Sequence, residues 1–92
     1  MNIHEIKNII NKQVTKKGYY LEERPSTSSN SWYFKIYSGD SDMMFRVSDH
    51  NTRSNIVTLR LDKCTSIKNV ESFINNRCQD LSDRTLKKLL GV

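Results

Sequence analysis

The stretch WYFKIYSGDSDMMFRVS, residues 32–48, decides the fold. Apolar and polar side chains alternate through its first and last parts, and this period of two is typical of β-strands that bury one face. The residues between them, SGDSD at positions 38–42, are turn-forming types. The sequence therefore predicts two strands joined by a hairpin, with these side chains on the buried face: Trp32, Phe34, Ile36, Met43, Phe45 and Val47.

Two further strand-like segments flank this hairpin. Residues 56–61 alternate in the same way, and place Val57, Leu59 and Leu61 toward the core. Residues 19–24 would add a short edge strand, because Pro25 follows them and ends regular pairing. The sheet is thus expected to have three or four strands.

Helical periodicity marks both ends of the chain. Asn2 is a suitable cap for a first helix that ends at Gly18, and its apolar stripe consists of Ile3, Ile6, Ile10 and Val14. A second helix is predicted over residues 67–81 with Ser66 as its cap, and Ser82 is predicted to begin a terminal helix that Gly91 ends. We predict one α+β domain, residues 1–92, in the order α-β-β-β-α-α, with an antiparallel sheet and the helices packed on one face.

Composition narrows the functional class. The 92 residues carry 15 Lys and Arg against 10 Asp and Glu, a net charge of +5, and the mean hydropathy is −0.67. No apolar run approaches the ~18–20 residues of a transmembrane helix, and residues 1–7 lack the apolar core of a signal peptide. The only cysteines, Cys64 and Cys78, cannot build a disulfide framework and fit a reducing compartment. These features exclude membrane and disulfide-rich secreted classes and favour the bacterial cytoplasm.

The solvent face of the predicted sheet mixes aromatic and cationic side chains. Such a face suits nucleic acid, because rings stack on bases and cations meet phosphate, and it also suits a protein interface. The alternative is an ordinary solvent-exposed sheet surface, on which tyrosine and arginine are also common cross-strand neighbours. Positive charge concentrates instead in the helical segments, at +3 for residues 1–20 and +3 for residues 60–92. The predicted solvent face carries Tyr33, Lys35, Tyr37, Met44, Arg46, Ser48, Thr58 and Arg60.

Catalysis has little support in the sequence. The only histidines are His4, in the first turn of a helix, and His50, which follows Asp49 where a strand ends. Neither has the spacing of a nucleophile–base pair, and no glycine-rich phosphate loop is present, so we expect a protein that is not an enzyme. Asp49 and His50 are a candidate zinc site, although the chain lacks the C-x-x-C or H-x₃-H spacing that marks strong zinc sites.

Two segments resemble a known protein group. Residues 29–33, SNSWY, and residues 46–50, RVSDH, resemble the pattern S-x-S-x-Y followed by R-[VI]-S-[DN]-H in small phage and mobile-element proteins, among them a type II-A anti-CRISPR family that inhibits Cas9. The resemblance implies roles for Ser31, Tyr33, Arg46, Ser48, Asp49 and His50.

By this resemblance, the chain would be a phage-encoded protein that binds Cas9, free or loaded with guide RNA, and blocks DNA loading or nuclease activation. A charge of +5 excludes inhibition by acidic imitation of DNA. We predict that the partner is bound by Tyr33, Tyr37, Arg46, Ser48, Asp49, His50 and Arg60.

The order of elements suggests an alternative. An α-β-β-β-α arrangement resembles the double-stranded-RNA-binding fold, which toxin mRNA interferases share. Those toxins place a catalytic histidine on the first strand, and the comparable residues here, 31–33, contain none. The alternative is thus a small, basic, non-catalytic module that binds RNA or DNA.

Overall fold

The computed structural model describes residues 1–24, 30–49 and 56–91, and confirms the α+β class. In the sequence, two α-helices flank four strands, which form one sheet of strand order β1-β2-β3-β4. The helices are α1 (Ile3–Lys16) and α2 (Ile67–Leu90), and a short 3₁₀ turn covers Leu61–Lys63. The strands are β1 (Tyr20–Arg24), β2 (Ser31–Ser38), β3 (Ser41–Ser48) and β4 (Val57–Arg60).

The sheet is mixed rather than wholly antiparallel. β1, β2 and β3 form an antiparallel meander, and Phe34 lies opposite Phe45 in the predicted hairpin. β4 pairs parallel to β3, with Val57 beside Phe45 and Leu59 beside Val47. The prediction of an all-antiparallel sheet was wrong at β4, because an alternating pattern reports which face a side chain occupies and not which way the strand runs. Val57, predicted to be buried, is exposed at the start of this edge strand.

The helix ends follow the predicted signals. The side chain of Asn2 accepts a hydrogen bond from the Glu5 amide at 2.9 Å, and that of Ser66 accepts one from the Asn69 amide at 3.3 Å. Gly18 and Gly91 take positive φ angles of 81° and 72°, which allow the chain to leave each helix.

The predicted break at Ser82 does not occur. α2 runs without interruption for 24 residues, and Ser82 lies inside it. The segment contains no glycine or proline before Gly91, and a serine in a helix interior costs only about 0.5 kcal/mol relative to alanine. Contacts within the helix offset that cost, since the Gln79 amide donates to Asp83 at 3.1 Å and the Thr85 hydroxyl donates to the Leu81 carbonyl at 3.0 Å.

The core lies between the sheet and the two helices. Phe34 and Phe45 stack with ring centroids 5.2 Å apart, and the ring of Phe73 from α2 meets Phe45 edge-on at 5.6 Å. Around these rings lie the buried side chains Ile6, Ile10, Val14, Ile36, Val47, Val70, Ile74, Cys78 and Leu81. Both helices therefore cover one face of the sheet, as predicted, and leave the other face open. Among the described residues, no helix combines the length and the apolarity needed to cross a bilayer.

Replacing Phe45 should cost more stability than any surface change. Phe45 is fully buried and contacts both of the other core phenylalanines, so Phe45→Ala should lower the free energy of unfolding by about 3–5 kcal/mol. Leu89→Ala is the control, because Leu89 is 79% exposed, and it should change stability by less than about 0.5 kcal/mol. Urea denaturation followed by circular dichroism measures both. A loss below 1 kcal/mol for Phe45→Ala would contradict the packing described above.

Candidate functional site

The sheet face opposite the helices collects the side chains that the sequence singled out. We call it the open face. Because side chains alternate along each strand, the pairing places four polar or aromatic rows next to one another. The open face consists of Tyr20, Glu22 and Arg24 of β1, Tyr33, Lys35 and Tyr37 of β2, Asp42, Met44 and Arg46 of β3, and Thr58 and Arg60 of β4.

Its central row is Tyr33, Arg46 and Thr58. Arg46 lies directly opposite both of the other residues, and its Nε donates to the Thr58 hydroxyl at 3.2 Å. The Thr58 hydroxyl in turn donates to the Ile56 carbonyl at 3.3 Å. The Nη2 atom of Arg46 is buried and has no hydrogen-bond partner in the described parts of the chain. A buried charged donor without an acceptor destabilises the folded state, so the Nη2 atom of Arg46 lowers the stability of the protein.

The other cations of the open face have carboxylate neighbours. Arg24 lies 3.6 Å from Glu22, Lys35 lies 3.5 Å from Asp42, and Arg60 lies 3.0 Å from Asp62. No carboxylate of residues 1–24, 30–49 or 56–91 pairs with Arg46 in this way. Three of the four cations of the face thus have a carboxylate neighbour, and Arg46 is the one that does not.

The ends of β2 and β3 are joined by two polar contacts. The hydroxyls of Ser31 and Ser48 lie 2.8 Å apart, and both residues are buried. Ser48 was predicted to point to solvent, and the structure shows it fully buried beside its cross-strand partner. One residue further on, the Asn30 amide donates to the Asp49 carboxylate at 3.0 Å, and the Asp49 amide donates to the Asn30 carbonyl at 3.3 Å. These contacts hold the strand register that puts Tyr33 beside Arg46.

Tyr37 lies at the other end of the open face. It is four residues from Tyr33 along β2, about 13 Å at the usual rise of a strand. Its hydroxyl donates to Glu22, and the Lys35 ammonium lies 5.3 Å from the centre of its ring. Arg60 of β4 lies beside Ser48 of β3, so it is next to the row that contains Arg46.

Sequence reasoning missed the contribution of β1. Tyr20, Glu22 and Arg24 lie opposite Tyr37, Lys35 and Tyr33 and extend the open face by one strand. Tyr20 is 77% exposed, more than any other large aromatic side chain on the described residues. The alternation Tyr-x-Glu-x-Arg could have indicated this face, but it needed the register with β2 to be interpreted.

The predicted zinc site stays a prediction. His50 lies outside the described residues, and Asp49 is an exposed residue bonded to Asn30. Within residues 1–24, 30–49 and 56–91, no group of three or more histidine, cysteine, aspartate and glutamate side chains is arranged to hold a metal ion.

The remaining nucleophile types are structural. Cys64 and Cys78 are buried, and desolvation by burial raises the pKa of each thiol. A raised pKa keeps a thiol protonated and unreactive near neutral pH. His4 is exposed on α1.

Removing the charge of Arg46 should stabilise the protein. Arg46→Met keeps the length of the side chain and deletes the buried unpaired nitrogen, so the free energy of unfolding should rise by about 1 kcal/mol. Arg24→Met is the matched control on the same face, and should change stability by less than about 0.5 kcal/mol because Arg24 is exposed and paired. Urea denaturation measures both. A marked destabilisation by Arg46→Met would instead assign Arg46 to the framework of the sheet.

The open face therefore combines three tyrosines, three cations with carboxylate neighbours and one guanidinium, that of Arg46, without one. Its supporting contacts involve the residues of the S-x-S-x-Y and R-V-S-D segments that the structure describes. No protein-family model matches the chain, and neither a curated protein nor a solved structure is significantly similar to it.

Proposed function

We propose that this protein is a non-enzymatic inhibitor that acts in the bacterial cytoplasm by docking its open face onto a type II-A Cas9. The observation that supports it most directly is Arg46, whose buried Nη2 lacks a partner in the described residues at the centre of a face that is otherwise balanced in charge. A residue that costs stability and faces outward is characteristic of a binding site.

The composition of the open face favours a protein partner over a nucleic acid. Nucleic-acid surfaces present many free cations to phosphate, whereas three of the four cations on this face have carboxylate neighbours. Tyrosine, arginine and methionine are the residue types enriched at the centres of protein interfaces. Tyr33, Met44 and Arg46 form such a centre on neighbouring strands.

A carboxylate of the partner is the group best suited to Arg46. A charge-assisted hydrogen bond from a guanidinium to an aspartate or glutamate is stronger than one to a neutral acceptor. Because the Nε atom already donates to Thr58, the orientation of the guanidinium plane is set before the partner arrives. Preorganisation of this kind reduces the entropy lost on binding.

The choice of Cas9 as the partner rests on the sequence resemblance. The resemblance implies roles for six residues. The structure describes five of them, Ser31, Tyr33, Arg46, Ser48 and Asp49, and the sixth, His50, lies outside the described residues. In this proposal Tyr33 and Arg46 contact the partner, joined by Arg60 and by Tyr37 at the far end, while Ser31, Ser48 and Asp49 hold the strands. A protein bound to Cas9 in this way would block DNA loading or the domain movement that precedes cleavage.

A second candidate function is supported by the helical layer. Exposed lysines without an ion-pair partner among the described residues lie on α1 and α2: Lys12, Lys16, Lys17, Lys68 and Lys87. A basic helical surface would bind the phosphates of RNA or DNA without sequence preference. In this case substitutions on the open face would leave binding unchanged, whereas substitutions of the helical lysines would weaken it. Variants of the two surfaces therefore distinguish the two functions.

Co-purification with Cas9 tests the main proposal. A type II-A Cas9, with and without guide RNA, should retain the wild-type protein in near-equal amounts and lose DNA cleavage. Arg46→Met should weaken binding by at least about thirtyfold while remaining folded, because truncation of a central arginine typically costs 2 kcal/mol or more. Lys12→Met, on the helical layer, is the matched charge control and should bind as the wild type does.

Salt dependence distinguishes the alternative. Binding to duplex RNA or DNA should weaken by about 0.9 log units per log unit of salt for each phosphate contacted, and Lys12→Met should reduce that slope. A steep slope together with no effect of Arg46→Met would favour the nucleic-acid module. Failure to bind any of several Cas9 orthologues would overturn the Cas9 assignment.

A further inference from the structure

The last two turns of α2 carry three exposed leucines. Leu86, Leu89 and Leu90 are 55%, 79% and 69% exposed, although each lies in regular helix. Single exposed apolar residues are common on protein surfaces, but three on adjoining turns of one helix form a contiguous patch. We call it the leucine patch.

The patch continues the side of α2 that faces α1. The side chain of Gln13 donates to Asn75 at 2.9 Å, and the hydroxyls of Tyr19 and Ser82 lie 2.9 Å apart. From the first contact to the second, residue numbers increase on both sides of the pair, so α1 and α2 pack in parallel. The spacing of three and four residues along α2 places on one stripe Asn75, Gln79, Ser82, Leu86 and Leu89.

The stripe is polar beside α1 and apolar beyond it. Beside α1 and the residues just after it, α2 presents the exposed polar residues Asn75 and Ser82. α1 ends at Lys16 and the chain turns away into β1, and beyond Ser82 the stripe consists of Leu86 and Leu89, which are 55% and 79% exposed. That uncovered part carries leucines, which lowers solubility without contributing to the core.

The end of α2 is also held in place. Beside the patch, the Arg84 guanidinium donates to the Asp42 carbonyl at 2.7 Å and the Lys88 ammonium donates to the Asp40 carbonyl at 3.2 Å, and Lys88 and Leu89 line one cleft with the turn between β2 and β3. These bonds tie the last turns of α2 to that turn. The leucines are thus presented on a fixed helix, which reduces the entropy that a partner must offset.

The charges around the patch select the partner. Lys17 lies in the cleft beside Gln79 and Ser82, and Lys87 adjoins Leu86 on the helix. Neither lysine has an ion-pair partner among the described residues, and Asp83, one turn before Lys87 in α2, accepts a hydrogen bond from Gln79. Two copies of this chain would bring these lysines together, whereas a negatively charged partner would match them.

We propose that the leucine patch binds an acidic amphipathic helix of a partner protein. Such a helix places leucine-like side chains at i, i+3, i+4 and i+7 on one face and carboxylates beside them, so its apolar face would extend the α1–α2 layer past the end of α1. Its carboxylates would lie near Lys17 and Lys87. This surface is on the opposite side of the molecule from the open face, and it does not depend on the function proposed above.

Fluorescence anisotropy with a labelled peptide tests this inference. The probe repeats leucine at i, i+3, i+4 and i+7 with glutamate at the other positions, and the control peptide replaces each glutamate with lysine. The acidic peptide should bind and the basic peptide should not. Leu89→Glu should weaken binding of the acidic peptide at least about tenfold, because it removes a buried leucine contact and adds a like charge.

Matched variants complete the design. Ile67→Glu introduces the same change at a 57% exposed residue at the start of α2 and should leave binding unchanged. Lys87→Glu should weaken binding of the acidic peptide and strengthen binding of the basic one. Because Leu89 and Lys87 are exposed and outside the core, these variants should keep the wild-type melting temperature.

Three outcomes would overturn the inference. The first is no binding of the acidic peptide, or binding that Leu89→Glu leaves unchanged. The second is a wild-type dimer in sedimentation velocity that Leu89→Glu converts to monomer, which would make a second copy the occupant. The third is Leu89-dependent binding to anionic phosphatidylserine vesicles with no binding of the peptide, which would assign the patch to a lipid surface.

Discussion

The contact between Phe34 and Phe45 is the one on which the rest of the structure depends. The two rings stack across β2 and β3, and Phe73 of α2 packs against them edge-on. Because side chains alternate along a strand, burying these two rings also decides which residues point the other way. A shift of one residue in pairing would turn Tyr33 and Arg46 into the core, so packing on one side of the sheet specifies which side chains the other side presents.

The strand ends reinforce this choice of register. Ser31 and Ser48 satisfy one another in a buried position, and Asn30, with a φ angle of 57°, lets its amide reach Asp49. A buried hydroxyl pair is satisfied only when the strands are correctly aligned, because an unpaired hydroxyl would cost free energy. The conspicuous polar residues near Arg46 therefore act mainly on alignment, and the side chains left for a partner are the aromatic and cationic ones between them.

The fold was predictable from sequence where periodicity carries the information. Alternation identified the inner faces of β2 and β3, and the caps at Asn2, Ser66, Gly18 and Gly91 all formed as expected. Three features had no local signal. Strand direction at β4 leaves no trace in alternation, a serine such as Ser82 suits the cap of a new helix and is also tolerated inside a continuous one, and the burial of Ser48 depends on its cross-strand neighbour. Alternation predicted which side chains share the open face. It did not predict which of them form ion pairs, because the pairing of Arg24, Lys35 and Arg60 requires the register.

β1 gives the sheet an unusual boundary. Four of its five residues are exposed, and its last three are Glu22, Glu23 and Arg24. A short edge strand dense in charge resists pairing with the edge of another molecule, which is a common route to aggregation. A partner that added a strand here would have to bury both glutamates, so strand addition is disfavoured along this side. The charged edge therefore lowers the tendency of two copies of the chain to join their sheets edge to edge.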